Sequence, residues 1–280
     1  MLEMSPTVYT VFLEPAAPHG GKRIAIFEDA RGLSSTEMQN LARSSGAPLT
    51  VFVTKNTGFA LGLRCFTPDK EKGESDSGAL AALHHLLERC ECAEEVALEM
   101  GNEKMQARFE DQWWLEQGTS QFTRVNPSPL FAQALNLEPE DLHPTLPFAT
   151  VSTSRPKLII PLSSVEVLDR IRPDYTALLK LNEHTHSSGI IALALEGSRN
   201  GTNAEIRFFM PRVQKEDNAG ANTAACAAAY LRETGLLEQG VWSGPVLELG
   251  QGYASGKPSR VFVDARGGVL WVGGQVCLVQ

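Results

Sequence analysis

Two acidic residues stand directly before a helical segment of unusual composition. The segment KEDNAGANTAACAAAYLRE places Glu216 and Asp217 ahead of a run of residues with very small side chains. An acid at a helix start can cap free backbone N–H groups and balance the positive end of the helix dipole. The same N–H groups can hold an anion, and an acid beside that anion can move a proton. The pattern therefore indicates either a helix cap or an acid–base site for a small anionic substrate.

A second segment repeats this arrangement in the first part of the chain. In two segments of the chain, Arg-x-Phe-x-Pro precedes an acidic turn and an alanine-rich helix. These segments are RCFTPDKEKGESDSGALAALHHLLER and RFFMPRVQKEDNAGANTAACAAAYLRE. Arg64 and Arg207, the first residues of these segments, lie about half a chain length apart. A single period of that size predicts duplication of a strand-rich unit wrapped around one buried helix. We expect the two arginines to pin strand ends.

The rest of the chain agrees with two such units. Alternating segments such as RIAIFED and LTVFVTK are typical of strands, and SSTEMQNLARSS is typical of a short helix. Two related halves would place their helix N-termini across a cleft from each other. There, two sets of N–H donors could grip a carboxylate or stabilise an enolate.

Bulk properties exclude several classes of protein. The net charge of -8 argues against a nucleic-acid binder, and no apolar run approaches the ~20 residues that span a membrane. The start, MLEMSPTVYTVFL, lacks the basic flank and long apolar core of a signal peptide, so we expect a cytoplasmic protein. The five cysteines have the spacing of neither a disulfide framework nor a zinc knuckle, which predicts buried thiols and no metal.

In five segments the chain resembles the phenazine-biosynthesis (PhzF-like) isomerases, which are relatives of diaminopimelate epimerase. In order, they are HGGKRIAIFEDARGLSSTEMQNLAR, RCFTP, STSRPKLIIPLSSVEVLDRIRPDYTALLKL, RFFMPRVQKEDNAGANTAACAAAYL and GQGYASGKPSRVFVDARGGVLWVGGQV. The resemblance implies an α+β fold of two pseudo-symmetric domains, each a curled, mostly antiparallel sheet or barrel around a central helix. The expected domains are residues 1–125, completed by the C-terminal strand, and 126–280. It also implies a site in the cleft, no cofactor and a homodimer.

The resemblance fails at the family's usual acid–base residue. Members carry a Glu within a segment like N-L-S-E-T-x-F-V, and the corresponding GAPLTVFV of this chain has Leu49. A leucine can neither accept nor donate a proton, so we do not expect the family's standard isomerisation. The epimerase relatives use two opposed cysteines instead, and Ser75 and Gly220 stand near those positions. A two-thiol mechanism is therefore excluded as well.

Both helix turns also depart from the family pattern. SDSGALA puts Asp76 and Ser77 where C-G-H-A-T-L-A has its Gly and His. EDNAGANTA keeps the two acids of E-D-P-x-T-G-S-A but replaces its Gly and Ser with Ala221 and Asn222. Lys22, in HGGKR, stands where an Asn is common. Two carboxylates facing one pocket could act as an acid and a base if their surroundings separate their pKa values.

These comparisons define the predicted site. The predicted catalytic residues are Asp217 and Asp76, although Asp76 could merely cap its helix. Lys22 could hold an acidic substrate or be a solvated turn residue. The predicted substrate-binding residues are Ser77, Gly78, Asn222, Ala221, Thr223, Lys22, Gly21, Leu49 and Gly252.

Two functions fit this site. The first is a cofactor-independent isomerase, epimerase or cyclase that acts on a small carboxylic or amino acid in specialised metabolism. A cyclase would rely mainly on the shape of an apolar pocket, which Leu49 favours. The second is a non-catalytic small-molecule-binding protein that keeps the fold and has lost the acid–base residue. Neither function involves a nucleic acid or a membrane.

Overall fold

The computed structural model has the α+β architecture that the sequence predicts, with strands and helices mixed along the whole chain. It describes residues 5–237, 244 and 246–279, so the start of the segment used to judge a signal peptide lies outside them. The chain divides into two compact units, residues 1–116 with 273–280 and residues 117–272. The proposed duplication, with its boundary between residues 125 and 126, stays a prediction.

The first unit consists of short strands around one long helix. Its helices are α1 (Ser35–Ser44) and α2 (Asp76–Glu88). Its strands are β1 (Thr7–Val11), β2 (Lys22–Phe27), β3 (Leu49–Asn56), β4 (Ala60–Phe66), β5 (Glu71–Gly73), β6 (Glu95–Met100), β7 (Glu103–Glu110) and β8 (Gln112–Gly118).

The second unit has the same character. Its helices are α3 (Leu130–Leu135), α4 (Val165–Arg170), α5 (Tyr175–His184) and α6 (Ala221–Glu233), with 3-10 turns at Pro139–Asp141, Arg199–Gly201 and Pro211–Val213. Its strands are β9 (Gln121–Arg124), β10 (Ala149–Ser152), β11 (Lys157–Leu162), β12 (Ile190–Ala194), β13 (Ala204–Met210), β14 (Lys215–Asp217), β15 (Val246–Gln251), β16 (Ser259–Asp264) and β17 (Leu270–Gly273). The last strand, β18 (Val276–Leu278), returns to the first unit and pairs antiparallel with β1.

The strands of each unit pair in the same pattern. In the first unit β2 and β3 are parallel, β4 is antiparallel to β3 and β5, and β6 runs parallel to β4. In the second unit β11 and β12 are parallel, β13 is antiparallel to β12 and β14, and β15 runs parallel to β13. In both, the central helix connects the short return strand to the next strand of the sheet. The expected pseudo-symmetric fold class is confirmed.

The helices α2 and α6 are the buried centres of their units. All residues of α6 from Thr223 to Leu231 are buried, and so are those of α2 from Ser77 to Leu83. Because strands surround these helices, the helices lack a polar face. Their alanines and glycine let those strands approach closely. Within the part of the chain that the structure describes, no helix combines the length and apolarity needed to cross a membrane.

The two repeated arginines lie where the sequence predicts, each tying a strand to its short return strand. Arg64 donates from Nε and Nη2 to the Glu71 carboxylate at 2.8 and 2.7 Å. Arg207 donates in the same two-pronged way to Glu216, at 3.0 and 2.7 Å. Arg207 is only 7% exposed, so its pair with Glu216 is shielded from water. These pairs fix the hairpins that lead into α2 and α6.

Candidate functional site

The two acids before α6 have separate roles. In the β13–β14 pair, Phe209 lies opposite Glu216 and Phe208 lies opposite Asp217. Because successive side chains of a strand point to opposite faces, the two carboxylates leave β14 in different directions. The Glu216 carboxylate pairs with the Arg207 guanidinium, whereas the Asp217 carboxylate lies toward the start of α6. Of the two acids, Asp217 is the one whose carboxylate lies beside the start of α6.

The Asp217 carboxylate lies beside the N-cap of α6. A Cβ atom built on the cap residue, Gly220, would lie 3.2 Å from Asp217 Oδ2 and 3.0 Å from Thr223 Oγ1. Glycine therefore lets the carboxylate and the Thr223 hydroxyl approach the cap backbone. Gly220 has no side chain that could accept from the helix, and the first helical residue is the small, buried Ala221. A helix start built this way favours a bound anion.

A neighbouring strand end holds the Asp217 turn in place. Gln251, at the end of β15, is 1% exposed and donates from Nε2 to the Asp217 carbonyl oxygen at 2.5 Å. The next residue, Gly252, has φ +82, and a Cβ there would lie 2.2 Å from the Lys257 carbonyl oxygen and 2.7 Å from that of Asn218. Only glycine fits this close approach. Gly252, predicted to bind substrate, thus packs against the turn that carries Asp217.

Asn222, in the first turn of α6, is the centre of a polar cluster. Its Nδ2 donates to Thr153 Oγ1 at 2.7 Å and to Ser154 Oγ at 3.0 Å, both in the turn before β11. Its Oδ1 accepts from Lys157 Nζ at 2.9 Å. These contacts fix which side of the Asn222 amide is oxygen, since only Oδ1 can accept from an ammonium.

Lys157 begins β11 and is 4% exposed. Burial lowers the pKa of Lys157 from 10.5 to about 8. The pattern STSRPKLIIPL gave no sign of this, since a lysine at a strand start is ordinarily solvated. Sequence reasoning missed Lys157, because burial of a polar residue depends on neighbours far along the chain.

The corresponding turn of α2 is closed by its own side chains. Ser75 caps the helix, its Oγ accepting from the Gly78 N–H at 3.3 Å and lying 3.2 Å from Ser77 Oγ. Both serines are buried, and Asp76, between them, is half-buried as the first residue of α2. This turn satisfies a helix donor internally, which is a capping arrangement.

Two predicted binding residues of the first unit lie in packed surroundings. A Cβ on Gly78 would lie 2.8 Å from Val51 Cγ2 and 3.4 Å from Cys65 Sγ, so Gly78 allows α2 to pack closely against the sheet. Leu49 is 7% exposed and lies two residues before Val51, hence on the same face of β3. The position that the family fills with an acid is apolar here and faces α2.

Gly21 and Lys22 lie at the start of β2. Gly21 has φ +72, and a Cβ there would lie 2.7 Å from both Thr10 Cγ2 and the Val11 carbonyl oxygen. Lys22 is half-buried and pairs with Val11 in the β1–β2 ladder. Gly21 is thus required by a close backbone approach. Their predicted contact with a substrate stays a prediction, as does the predicted cleft.

The cysteines supply no reactive thiol to either helix turn. Cys65 and Cys226 are fully buried, and burial raises the pKa of Cys65 to about 12 and raises that of Cys226. The expectation of buried thiols is right for these two. It is wrong for Cys90 and Cys277, which are exposed because they lie in a turn after α2 and in a terminal strand.

Comparison with known proteins assigns the chain to a family. The phenazine biosynthesis-like protein family, PhzC-PhzF, matches residues 10–272. This chain belongs to that family. The resemblance inferred from the five sequence segments is therefore confirmed.

Individual relatives agree with this assignment. Trans-2,3-dihydro-3-hydroxyanthranilate isomerase of Pseudomonas chlororaphis is 29% identical over 265 residues, covering 90% of this chain and 87% of the relative. An uncharacterized isomerase of Escherichia coli K12 is 26% identical over 283 residues, covering 93% and 90%. A crystal structure of a PhzF-family protein from Bacillus anthracis has the same fold, with a TM-score of 0.81, 22% identity, and coverage of 98% and 96%.

Proposed function

We propose that this protein is a cofactor-independent isomerase that moves a proton on a small carboxylic or amino acid, with Asp217 as the group that transfers it. The observation that carries this proposal is the position of Asp217 Oδ2 beside Gly220 and Thr223 at the start of α6. The Leu49 side chain cannot transfer a proton, so the reaction differs from any that needs an acid at that position.

The mechanism follows from the α6 turn. The substrate carboxylate binds at the helix start, where N–H donors and the helix dipole favour negative charge. Asp217 removes a proton from the neighbouring carbon, and negative charge develops toward the same donors. The protonated acid then returns the proton to another position of the substrate. Every group in this scheme belongs to the protein, so no cofactor is required.

Family membership supports the class of reaction and suggests substrates. Because one relative is named as an isomerase of trans-2,3-dihydro-3-hydroxyanthranilate, dihydroaromatic amino acids belong in the first panel of compounds. The contribution of Asp76 as a second acid and the assembly of a homodimer stay predictions.

The test is proton NMR in deuterated water with a panel of amino acids and dihydroaromatic acids. We expect enzyme-dependent deuterium uptake at one carbon of one compound, reduced about 100-fold or more in Asp217→Asn. Thermal unfolding of the variant controls for folding. Exchange that survives the substitution would assign the chemistry to another residue. Binding without exchange by the wild-type protein would favour a non-catalytic binding protein or a shape-driven cyclase.

A further inference from the structure

Lys157 is a buried cation whose hydrogen-bond acceptors, among the described residues, are all neutral. Its Nζ donates to Asn222 Oδ1 at 2.9 Å, to the Arg155 carbonyl oxygen at 3.2 Å and to Ser188 Oγ at 3.4 Å. The Phe208 ring lies 5.3 Å from Nζ. Each ammonium hydrogen thus has an acceptor, but none of those acceptors carries a negative charge.

Among the residues that the structure describes, no Asp or Glu oxygen lies within 4 Å of Lys157 Nζ. The titratable groups that face Lys157 are the Cys226 thiol of α6 and the Arg155 guanidinium of the preceding turn. Burial raises the pKa of Cys226, which keeps that thiol neutral, and Arg155 is itself a cation. A buried charge without a counter-ion is unfavourable.

The α6 helix adds to the unbalanced positive charge. Asn222, which accepts from Lys157, is the second residue of α6, so the ammonium lies at the positive end of the helix dipole. Cations are stabilising at the other end of a helix. Lys157 and the helix dipole therefore both favour negative charge at this turn. The Asp217 carboxylate beside Gly220 supplies part of that charge, and a ligand carboxylate near Lys157 would supply the rest.

A second, independent feature of this turn also points to a ligand. Gln251 Oε1 is buried and has no hydrogen-bond partner among the described residues, although Nε2 of the same amide is bonded to the Asp217 carbonyl oxygen. Buried acceptors are rarely left without a donor. An amino or hydroxyl group of a ligand at the Asp217 turn would supply one.

We propose that Lys157 is a positioning residue for a ligand carboxylate at the first turn of α6, acting through its positive charge and by holding the side chain of Asn222, whose backbone belongs to that turn. This inference rests on the proposed function, since it concerns the same helix turn. It also names the ligand class: a carboxylate with an adjacent amino or hydroxyl group. Together with Thr153 and Ser154, Lys157 fixes the Asn222 side chain and thereby the helix start, without touching the reacting atoms.

Proton linkage follows from this arrangement. Folded Lys157 releases its proton near pH 8, well below the usual 10.5, because it is buried. A carboxylate bound nearby favours the charged ammonium and raises that pKa again. Above pH 8, binding must therefore take up a proton, and affinity must fall as pH rises further. A residue with a purely structural role would show neither effect.

The experiment is calorimetric titration with anthranilate, which carries a carboxylate beside an amino group. Titrations at pH 7 and pH 8.5, in buffers of different ionisation enthalpy, give the dissociation constant and the number of protons taken up. The proteins are wild type, Lys157→Met, Lys157→Gln and the control Lys180→Met. Lys180 is an exposed lysine of α5, so its substitution removes an equal charge elsewhere in the same unit.

We expect wild type and Lys180→Met to take up protons at pH 8.5. Both Lys157 variants should bind about ten-fold more weakly at pH 7 and take up none. If Lys157→Met does not fold, Lys157→Gln tests the same loss of affinity and of proton uptake, because it keeps a hydrogen-bond donor and removes the charge. Equal affinity and equal proton uptake in wild type and the Lys157 variants would overturn the inference. Failure of wild type to bind anthranilate would also overturn it, while deuterium exchange decides the proposed function separately.

Discussion

The first turns of α2 and α6 hold the same place in their units, where a hairpin fixed by an arginine leads into a buried helix. The two turns differ in the residues that cap the helix and surround its start. The α2 turn has a serine cap and lies on an apolar face that includes Leu49. The α6 turn has a glycine cap without a side-chain acceptor, with Asp217 beside it and a buried lysine behind it. The α2 turn bonds one of its helix donors through Ser75, whereas the α6 turn brings an acid and a buried lysine to the helix start.

This difference shows how two units with the same strand pattern can separate structure from chemistry. The arginine–glutamate pairs and the strand pairing are kept in both units because each unit needs them to enclose its helix. The residues around the helix start are under no such constraint. At α2 they serve packing and capping, whereas at α6 they tolerate an unfavourable buried charge. A cost in stability at one of two equivalent positions is typical of a functional site.

The largest effect on stability should come from removing the buried charge at α6. Folded Lys157 loses its proton near pH 8 and the unfolded chain keeps it to about 10.5, so burial of the ammonium costs on the order of 3 kcal/mol at pH 7. Lost hydrogen bonds offset part of this, and Lys157→Met should be about 1–3 kcal/mol more stable than wild type at pH 7.

That advantage should shrink as pH rises from 8 toward 10.5, because wild-type Lys157 then becomes neutral in the folded state. Urea unfolding of both proteins at pH 7 and pH 9.5 measures it. The difference between the two proteins cancels the titration of tyrosines and cysteines that they share. A variant less stable than wild type at pH 7 would show that Lys157 is a structural residue.

A matched pair of glycine substitutions should separate packing from chemistry. Gly78→Ala places a methyl group 2.8 Å from Val51 Cγ2 and should destabilise the fold by about 1–2 kcal/mol. Gly220→Ala meets two side-chain atoms that can move, Asp217 Oδ2 and Thr223 Oγ1. It should cost less stability than Gly78→Ala, on the order of 0.5–1 kcal/mol for alanine at an N-cap, and should lower deuterium exchange about ten-fold by displacing the acid. Denaturation and exchange on both variants test this, and the reverse pattern would contradict it.

The smallest effect is expected at the α2 cap. Ser75→Ala removes the side chain that accepts from the Gly78 N–H and should cost about 1 kcal/mol of stability. Deuterium exchange should change little, because the contacts of this hydroxyl, with the Gly78 N–H and with Ser77 Oγ, both lie within the α2 turn. Urea unfolding and exchange rates measure the two effects. A large loss of exchange with unchanged stability would assign chemistry to the α2 turn.

Much of the fold could be predicted from the sequence, but only part of the site. The repeated Arg-x-Phe-x-Pro segments and the two alanine-rich helices predicted the paired units, since strand alternation and helix burial are local patterns. Asp217 and Asn222 could be found because they stand in a short motif at a helix start. Lys157 could not, because it joins Asn222 across 65 positions of the chain. Close backbone approaches, as at Gly252, likewise depend on distant strands that no local pattern identifies.

The central claim is that proton transfer belongs to the α6 turn, and a comparison of its acid with that of the α2 turn tests it most directly. Deuterium exchange would be measured for Asp217→Asn and Asp76→Asn on the substrate found with the wild-type protein. We expect a loss of about 100-fold or more for Asp217→Asn, and a clearly smaller loss for Asp76→Asn. Wild-type exchange in Asp217→Asn, or a larger loss in Asp76→Asn, would contradict it.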